Sequence, residues 1–160
     1  MKRKIYTIGY TGFGIDDFVQ LLVGNDVRCL IDVREIPISR KPGFAKTALK
    51  NHLDLVGIRY EHFRSLGSPK ALRDKLRADR EYSQFFRGVR QHLKKEAGTD
   101  ALQEVVEITR QVRTCLMCCC PQWDLCHRKC IVDLLSMHET TSFCHLVKPS
   151  SQKVFWGKAA

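Results

Sequence analysis

Cys126, His127 and Arg128 stand in a row at the predicted start of a helix. A helix N-terminus carries partial positive charge, and two basic neighbours add to it. Such surroundings lower a thiol pKa from ~8.5 toward neutrality or below, which yields a thiolate. A thiolate there can be a nucleophile, a redox thiol or a metal ligand, and His127 either acts as its base or caps and packs locally. Five of the eight cysteines crowd into Cys115 to Cys126. Strand alternation before that point puts Leu116, Cys118 and Cys120 on one face and Cys115, Met117 and Cys119 on the other. Cysteines at the strand end, Cys118 first, are therefore placed to meet Cys126. The competing reading is structural, because cysteine is among the most buried residue types. It is the expectation for Cys29, Cys115 and Cys119.

Metal is the second chemistry. Zinc or iron could be held by some of Cys118, Cys120, Cys126 and Cys130, the last two sharing a helix face four residues apart. The alternation and the lack of a second well-spaced pair argue against four convergent ligands, so no structural zinc or other cofactor is expected. Cys115 and Cys118 form a nominal Cys-x-x-Cys, but an extended strand splays the two thiols.

Arg34 and Arg40 form a second constellation, with Ser39 between them. Arg34 follows Asp32 at the end of an apolar run. The pair reads either as an internal ion pair or as an anion clamp, since guanidinium binds phosphate or carboxylate in a bidentate manner. Arg128 is a third candidate for binding a substrate anion. Gly9-Tyr10-Thr11-Gly12 lacks the spacing of a nucleotide-binding loop. It reads as a tight turn that brings Tyr10 and Thr11 to the rim of the same site.

These residues need a frame. Lys4 to Gly9 reads as a strand, Ile15 to Val23 as a helix and Val27 to Val33 as a strand covered on both faces. A helix through Leu49, Leu53 and Val56 ends at Gly57, and a short strand follows at Ile58 to Phe63. Helices are predicted near 70–78, 82–96 and 100–111, then a strand at Thr114 to Cys120. A helix from Cys126 to Met137 and a strand at Ser142 to Val147 close the domain. In the helix at 82–96, Arg87, Arg90 and Lys94 form a basic stripe opposite the apolar face, which is a phosphate-binding surface or simply a solvated one. Strands separated by helices imply an α/β fold, one domain over residues 1–148. Its sheet is mainly parallel, of about five strands, with helices on both faces. Residues 149–160 read as a tail with one aromatic pair, Phe155 and Trp156. Ligands of such folds bind at the carboxyl ends of the strands. Arg34, Ser39, Arg40, Cys118 and Cys126 are thus expected around one cleft, with Cys126 partly accessible.

The chain has 160 residues, is 44% apolar and 28% charged, and carries a formal charge of +10. That balance fits a globular protein and favours anionic partners, a small molecule or nucleic acid. The charge is densest between Arg59 and Lys95. No apolar run approaches the ~18 residues that span a bilayer. The glycine-broken N-terminus does not resemble a signal peptide, so a cytoplasmic, thiol-preserving location is expected. Oligomeric state is not legible.

Several of these segments together resemble the family called domain of unknown function 488. They are Tyr6-Thr7-Ile8-Gly9-Tyr10-Thr11, Asp32-Val33-Arg34 with Pro37, Ser39-Arg40 and Phe44, Gly57-Ile58-Arg59-Tyr60 with Leu66-Gly67, and Cys126-His127-Arg128. The resemblance runs from about Lys4 to Val147. It implies an α/β fold and a cytoplasmic protein, and no established reaction. The family pattern has Cys-x-Glu about eight residues before its Cys-His-Arg. Here Cys118 stands at that cysteine and Cys120 at the glutamate, so any acid–base role of the glutamate is missing.

Three functional readings follow. The favoured one is an enzyme using the Cys126 thiolate, with Cys118 and His127 beside it and arginines holding an anionic, nucleotide-like or nucleic-acid-like substrate. The others are a metal-binding protein and a nucleic-acid-binding or interaction module with structural cysteines.

Overall fold

The structure is a computed structural model that describes residues 3–138 and 141–149. The Phe155 and Trp156 pair lies outside the described residues. Five strands, β1 (Arg3–Gly9), β2 (Cys29–Asp32), β3 (Arg59–His62), β4 (Thr114–Cys118) and β5 (Thr141–Leu146), form one sheet in the order β3-β2-β4-β1-β5. Every pairing is parallel. Six helices connect them: α1 (Ile15–Gly24), α2 (Lys46–Asp54), α3 (Lys70–Asp79), α4 (Tyr82–Leu93), α5 (Glu96–Gln111) and α6 (Arg128–His138). None of the described helices is long and apolar enough to cross a membrane.

The sheet is covered on both sides, as its unbroken apolar strands require. One core joins Tyr6, Ile8, Leu30, Cys115 and Met117 to Phe18 and Leu22 of α1 and to Leu49 and Leu53 of α2. The other joins Ile5, Ile31, Leu116 and Cys118 to Phe85 and Val89 of α4, Leu102 and Val105 of α5, and Ile131 and Leu135 of α6. Each fully buried side chain of this size contributes about 1.5–3 kcal/mol. The alternation of β4 is as its period demands: Leu116 and Cys118 face one core, Cys115 and Met117 the other.

The topology selects one place for a ligand. The chain leaves β1 and β2 through α1 and α2 on one face. It leaves β4, which lies between them, through α6 on the other. Connections that diverge from neighbouring strands open a crevice at their carboxyl ends. Here the divergence occurs on both flanks of β4, at Cys118.

Two element ends at the site differ from expectation. β4 stops at Cys118, not Cys120, and the chain then curls over β1. There Tyr10 N–H donates to Cys118 O at 3.0 Å and Thr11 N–H donates to Cys119 O at 3.1 Å. The helix after it starts at Arg128, because Cys126 is extended at φ −114° and ψ 155°.

The curl is possible because residue 9 has no side chain. A Cβ on Gly9 would sit 1.7 Å from the Cys120 carbonyl oxygen. Gly9→Ala is therefore expected to push the 118–121 segment off β1. The cost should reach about 1–3 kcal/mol or more, as for other forced overpacking, read from the urea midpoint. An unchanged midpoint would mean that this segment is not seated as described.

Candidate functional site

A cleft of about 320 Å³ opens at the carboxyl end of β4. Cys118, Cys126 and His127 line it together with Tyr10 and Arg34. Ile36, Ile38 and Leu125 stand exposed around its mouth, and Arg73 and Arg77 of α3 form part of its wall. A second hollow, about 480 Å³ and more open, is lined by His62 and His92 among others. Both histidines there already bond backbone carbonyls, His62 that of Arg34 and His92 that of Ser65. The thiol cleft is the one with reactive groups to offer.

At its floor, Cys126 Sγ accepts from Arg128 Nε at 3.4 Å and lies 3.6 Å from His127 Nδ1. Cys118 Sγ lies 3.9 Å from the same Nδ1. His127 Nε2 is 2.7 Å from the Val33 carbonyl oxygen. A carbonyl only accepts, so Nε2 carries a proton and Nδ1 faces the two sulfurs. This is a thiol–imidazole pair whose base is oriented by a third group, the arrangement that activates a nucleophile.

Cys126 is 1% exposed, not partly accessible as expected. The reason is that α6 begins two residues later and folds the segment under the cleft. Burial alone would raise its pKa. Hydrogen bonds from the Cys118 and Cys120 thiols, and the charge and hydrogen bond of His127, outweigh that and hold it well below the ordinary thiol value. Cys118 moves the opposite way: its hydrogen bonds to Cys119, Cys120 and Cys126 keep its proton, and burial adds to this. His127 is raised; burial opposes the shift, but the charge and hydrogen bond of Cys126 and the Val33 carbonyl overcome it. These shifts favour the thiolate on Cys126, the thiol on Cys118 and the protonated form of His127.

Arg128 explains why the charge sits there. Its side chain is buried, and among the described residues it meets no carboxylate. Its partners are Cys126 Sγ, the Cys120 carbonyl at 2.5 Å and Thr7 Oγ1 at 3.4 Å. Thr7 in turn bonds His145 Nδ1 at 2.7 Å, and His145 stacks on Trp123 at 3.8 Å. Burial, and then the Arg128 charge, lower the His145 pKa, which leaves it neutral to accept from Thr7. A buried cation is costly without an anion. The Cys126 thiolate is the anion within reach. Arg128 is therefore a buried partner of the thiol and does not line the cleft.

The other arginines also differ from the anion-clamp expectation. Arg34 Nε and Nη2 bind the Asp32 carboxylate at 2.9 and 2.6 Å, and Nη1 binds the Phe44 carbonyl at 2.9 Å. Tyr60 Oη donates to the same carboxylate at 2.6 Å. Arg34 reaches the cleft, but its donors are committed to the internal ion pair. Arg40 and Thr11 are exposed and do not line the cleft; Thr11 Oγ1 donates to Cys119 O at 2.6 Å and so holds the curled segment. Ser39 is also off the cleft and accepts from Tyr10 Oη at 3.3 Å. Arg40 stands beyond the turn that begins after Arg34, which carries it away from the sheet edge.

Arg73 and Arg77 were not singled out by the sequence. They sit four apart with Leu76 on the cleft side of α3, a spacing that could have marked them. Arg73 pairs with Glu35 at 2.7 Å and Arg77 with Asp74 at 3.0 Å. The basic stripe of Arg87, Arg90 and Lys94 lines a separate shallow groove, where Arg90 reaches Asp133 at 3.5 Å.

As metal ligands, Cys118, Cys126 and His127 have donor atoms all within 4.8 Å of one another. Cys118, Cys119 and Cys120 form an overlapping group. Cys130 does not join either; its thiol points to the Phe86 carbonyl at 3.7 Å, and burial pushes it up to about 11. Cys29 and Cys115 are fully buried thiols raised chiefly by burial, in keeping with core residues, whereas Cys119 departs from that expectation: it is exposed, and hydrogen bonds with Cys118 and Cys120 hold its thiol down to about 3.

The fold and site define a parallel α/β protein with a histidine-paired thiol at a topological switch point. The family model described as domain of unknown function DUF488 matches residues 14–135, and the chain belongs to that family. The match takes in β2 to β4, the Cys126-His127-Arg128 segment and most of α6. No curated protein and no solved structure matches the chain.

Proposed function

We propose that the protein is an enzyme in which the Cys126 thiolate attacks an electrophilic centre of a small substrate held in the cleft. The observation that carries this is the position of Cys126 Sγ, at the cleft floor, between Arg128 Nε and an oriented His127 Nδ1. His127 as imidazolium donates its Nδ1 proton to the leaving group. An anionic group of the substrate is met at the cleft wall by Arg77, whose pairing with surface Asp74 leaves its side chain largely exposed, in place of the expected Arg34 and Arg40 pair. Phosphate or carboxylate on a nucleotide-sized molecule fits that chemistry.

The test is alkylation read by peptide mass. Trypsin leaves Cys118 and Cys126 on one peptide, so a second cleavage at Asp124 is needed to separate them. Cys126 is expected to react with iodoacetamide at pH 7 faster than Cys29, Cys115 or Cys130. If it labels only after denaturation, the reading fails. The charge of the wall is tested with iodoacetate, the anionic counterpart. Relative to free glutathione, the folded protein should favour the anionic reagent over the neutral one. Arg77→Ala should reduce that preference, by about twofold to fivefold for one screened charge. No preference in the parent chain would remove the anionic-substrate part.

One observation favours a second reading. Tetrahedral zinc with bonds of ~2.3 Å to sulfur and ~2.0–2.1 Å to nitrogen places sulfur and nitrogen ligands roughly 3.5 Å apart. The two sulfur-to-Nδ1 distances, 3.6 and 3.9 Å, are close to that. A soft metal held by Cys118, Cys126 and His127 is tested by cobalt titration, whose sulfur-to-metal absorption would be lost in Cys126→Ser.

A further inference from the structure

The catalytic reading uses one thiol, yet the cleft floor holds two. Cys118 Sγ shares the His127 Nδ1 atom with Cys126 Sγ, and the two sulfurs are within 4.8 Å. β4 and the start of α6 are different elements, so the fold has brought these thiols together from eight residues apart. Their environments differ in a useful way. Cys126 meets the Arg128 and His127 donors, whereas Cys118 meets the imidazole and other thiols. A sulfur held by an arginine and an imidazole, beside a second sulfur that shares that imidazole, is the arrangement of an attacking and a resolving thiol. Cys126 is almost wholly enclosed, and the cleft above it is only about 320 Å³. That geometry admits a small oxidant and excludes a protein disulfide.

We propose that Cys118 is the resolving thiol of Cys126 and that the site's oxidising substrate is a small hydroperoxide. This inference rests on the nucleophilic reading of Cys126 alone, takes a peroxide oxygen as the electrophilic centre, and does not require the anionic group assigned to Arg77. The Cys126 thiolate attacks one peroxide oxygen. The S–O bond forms, the O–O bond breaks, and the departing oxygen leaves as water or alcohol with the His127 Nδ1 proton. Cys126 is then a sulfenic acid, oxidised by two electrons. Cys118 sulfur attacks Cys126 sulfur; the S–S bond forms, the S–O bond breaks, and water leaves with the Cys118 proton. The sum is one hydroperoxide and two thiols giving one disulfide, water, and a second water or an alcohol. A low-molecular-weight dithiol returns both electrons and restores the thiols. Cys119 and Cys120 crowd the same corner, but Cys118 is the cysteine of that run that shares the imidazole with Cys126.

The experiment uses the full chain, reduced and freed of metal with a chelator. It is treated with one equivalent of hydrogen peroxide, blocked with N-ethylmaleimide, and cleaved at Arg and Asp124. The expected product is a Cys118–Cys126 linked peptide pair with two thiols lost per peroxide. In Cys118→Ser, Cys126 should stop at the sulfenic acid and give at least about tenfold more dimedone adduct than the parent. In Cys126→Ser, peroxide consumption should fall to that of free glutathione. A link joining Cys119 or Cys120 to Cys126, or oxidation of Cys126 without any link, would overturn the assignment of Cys118. The linked peptide is read in the parent chain, so the outcome does not depend on a variant that folds. If iodoacetamide labels Cys126 selectively but no link forms, this inference falls and the nucleophilic reading stands. If neither occurs, both fall.

Discussion

Asp32→Asn is expected to destabilise the fold by about 3–5 kcal/mol, the usual cost of removing one partner from a buried ion pair. Asp32 is fully buried and its carboxylate takes two guanidinium donors of Arg34, the Arg34 backbone N–H and the Tyr60 hydroxyl. Burial works against the charge of Arg34, and the hydrogen bond and charge of Asp32 raise its pKa in opposition; arginine does not deprotonate in proteins, so the guanidinium stays charged, and loses its counter-ion, when Asp32 is replaced. The Tyr60 pKa is raised by burial and then by Asp32, so its hydroxyl keeps the proton it donates. Tyr60→Phe removes only one neutral donor to that carboxylate and should cost about 1.5–3 kcal/mol. Replacing both charges, Asp32→Leu with Arg34→Met, should cost less than Asp32→Asn alone. Urea unfolding of the three chains checks the order, and an Asp32→Asn chain as stable as Tyr60→Phe would refute it. The damage should also reach the thiol. Val33, between the paired residues, supplies the carbonyl that orients His127. Cys126 alkylation is therefore expected to slow in Asp32→Asn under conditions where the chain is still folded.

The same pair shows how far the sequence could be read. Asp32 and Arg34, two apart at the end of an apolar strand, had to share a side, and the ion pair was one of two legible outcomes. What decided it was Tyr60 and the Phe44 carbonyl, which come from other elements and saturate both side chains. The faces of β4 were legible because a period of two leaves no choice once both sides are covered. The end of β4 was not, because it depends on Gly9 allowing the Cys120 carbonyl onto β1. Tyr10, Arg34, Cys118 and Cys126 came together as the parallel topology demanded; Ser39, Arg40 and Thr11 did not. Those three are set by turns, whose direction no periodicity encodes. Arg128 was the hardest to foresee. Its charge beside Cys126 was legible and it was read as a substrate contact, but its burial was not: it is among the most buried side chains, with a thiol in place of a carboxylate.

That substitution of thiol for carboxylate bears on the departure from the family pattern at Cys120. Where the family resemblance implies a glutamate, this chain has a cysteine, and it is the Cys120 backbone that Arg128 contacts. A carboxylate introduced there would compete with Cys126 for the guanidinium. Cys120→Glu is therefore expected to slow Cys126 alkylation at pH 7, and Cys120→Gln, of the same size without the charge, to slow it less. Equal effects would show that bulk and not charge is responsible.

The largest effect on reactivity should come from Arg128→Met. It removes the guanidinium that donates to Cys126 Sγ and leaves the thiolate in a buried site with one cation fewer. One pKa unit corresponds to ~1.4 kcal/mol, and loss of a charge-assisted hydrogen bond is of that order or more. The Cys126 pKa should therefore rise by about one to two units, and alkylation at pH 7 should fall by roughly tenfold or more once that pKa passes neutrality. The pH dependence fixes the cause. In the parent chain the lowered Cys126 pKa keeps labelling near its plateau at neutral pH, with loss only as the pH falls through that lowered value. In Arg128→Met the loss should begin at higher pH, and the rate should recover in alkali. Stability follows the same sign. A thiol with a depressed folded pKa contributes stability that is complete above its unfolded value of ~8.5 and is lost as the pH falls through the folded value. The raised His127 contributes stability that is complete below its unfolded value of ~6.5 and is lost as the pH rises through its folded value. Arg128→Met should weaken both contributions, since it unseats the thiolate on which His127 depends. A labelling profile of Arg128→Met that overlays the parent from about pH 5 to pH 9, the range that brackets the unfolded values of both groups, in a chain with an unchanged urea midpoint, would show that Cys126 owes nothing to the buried arginine.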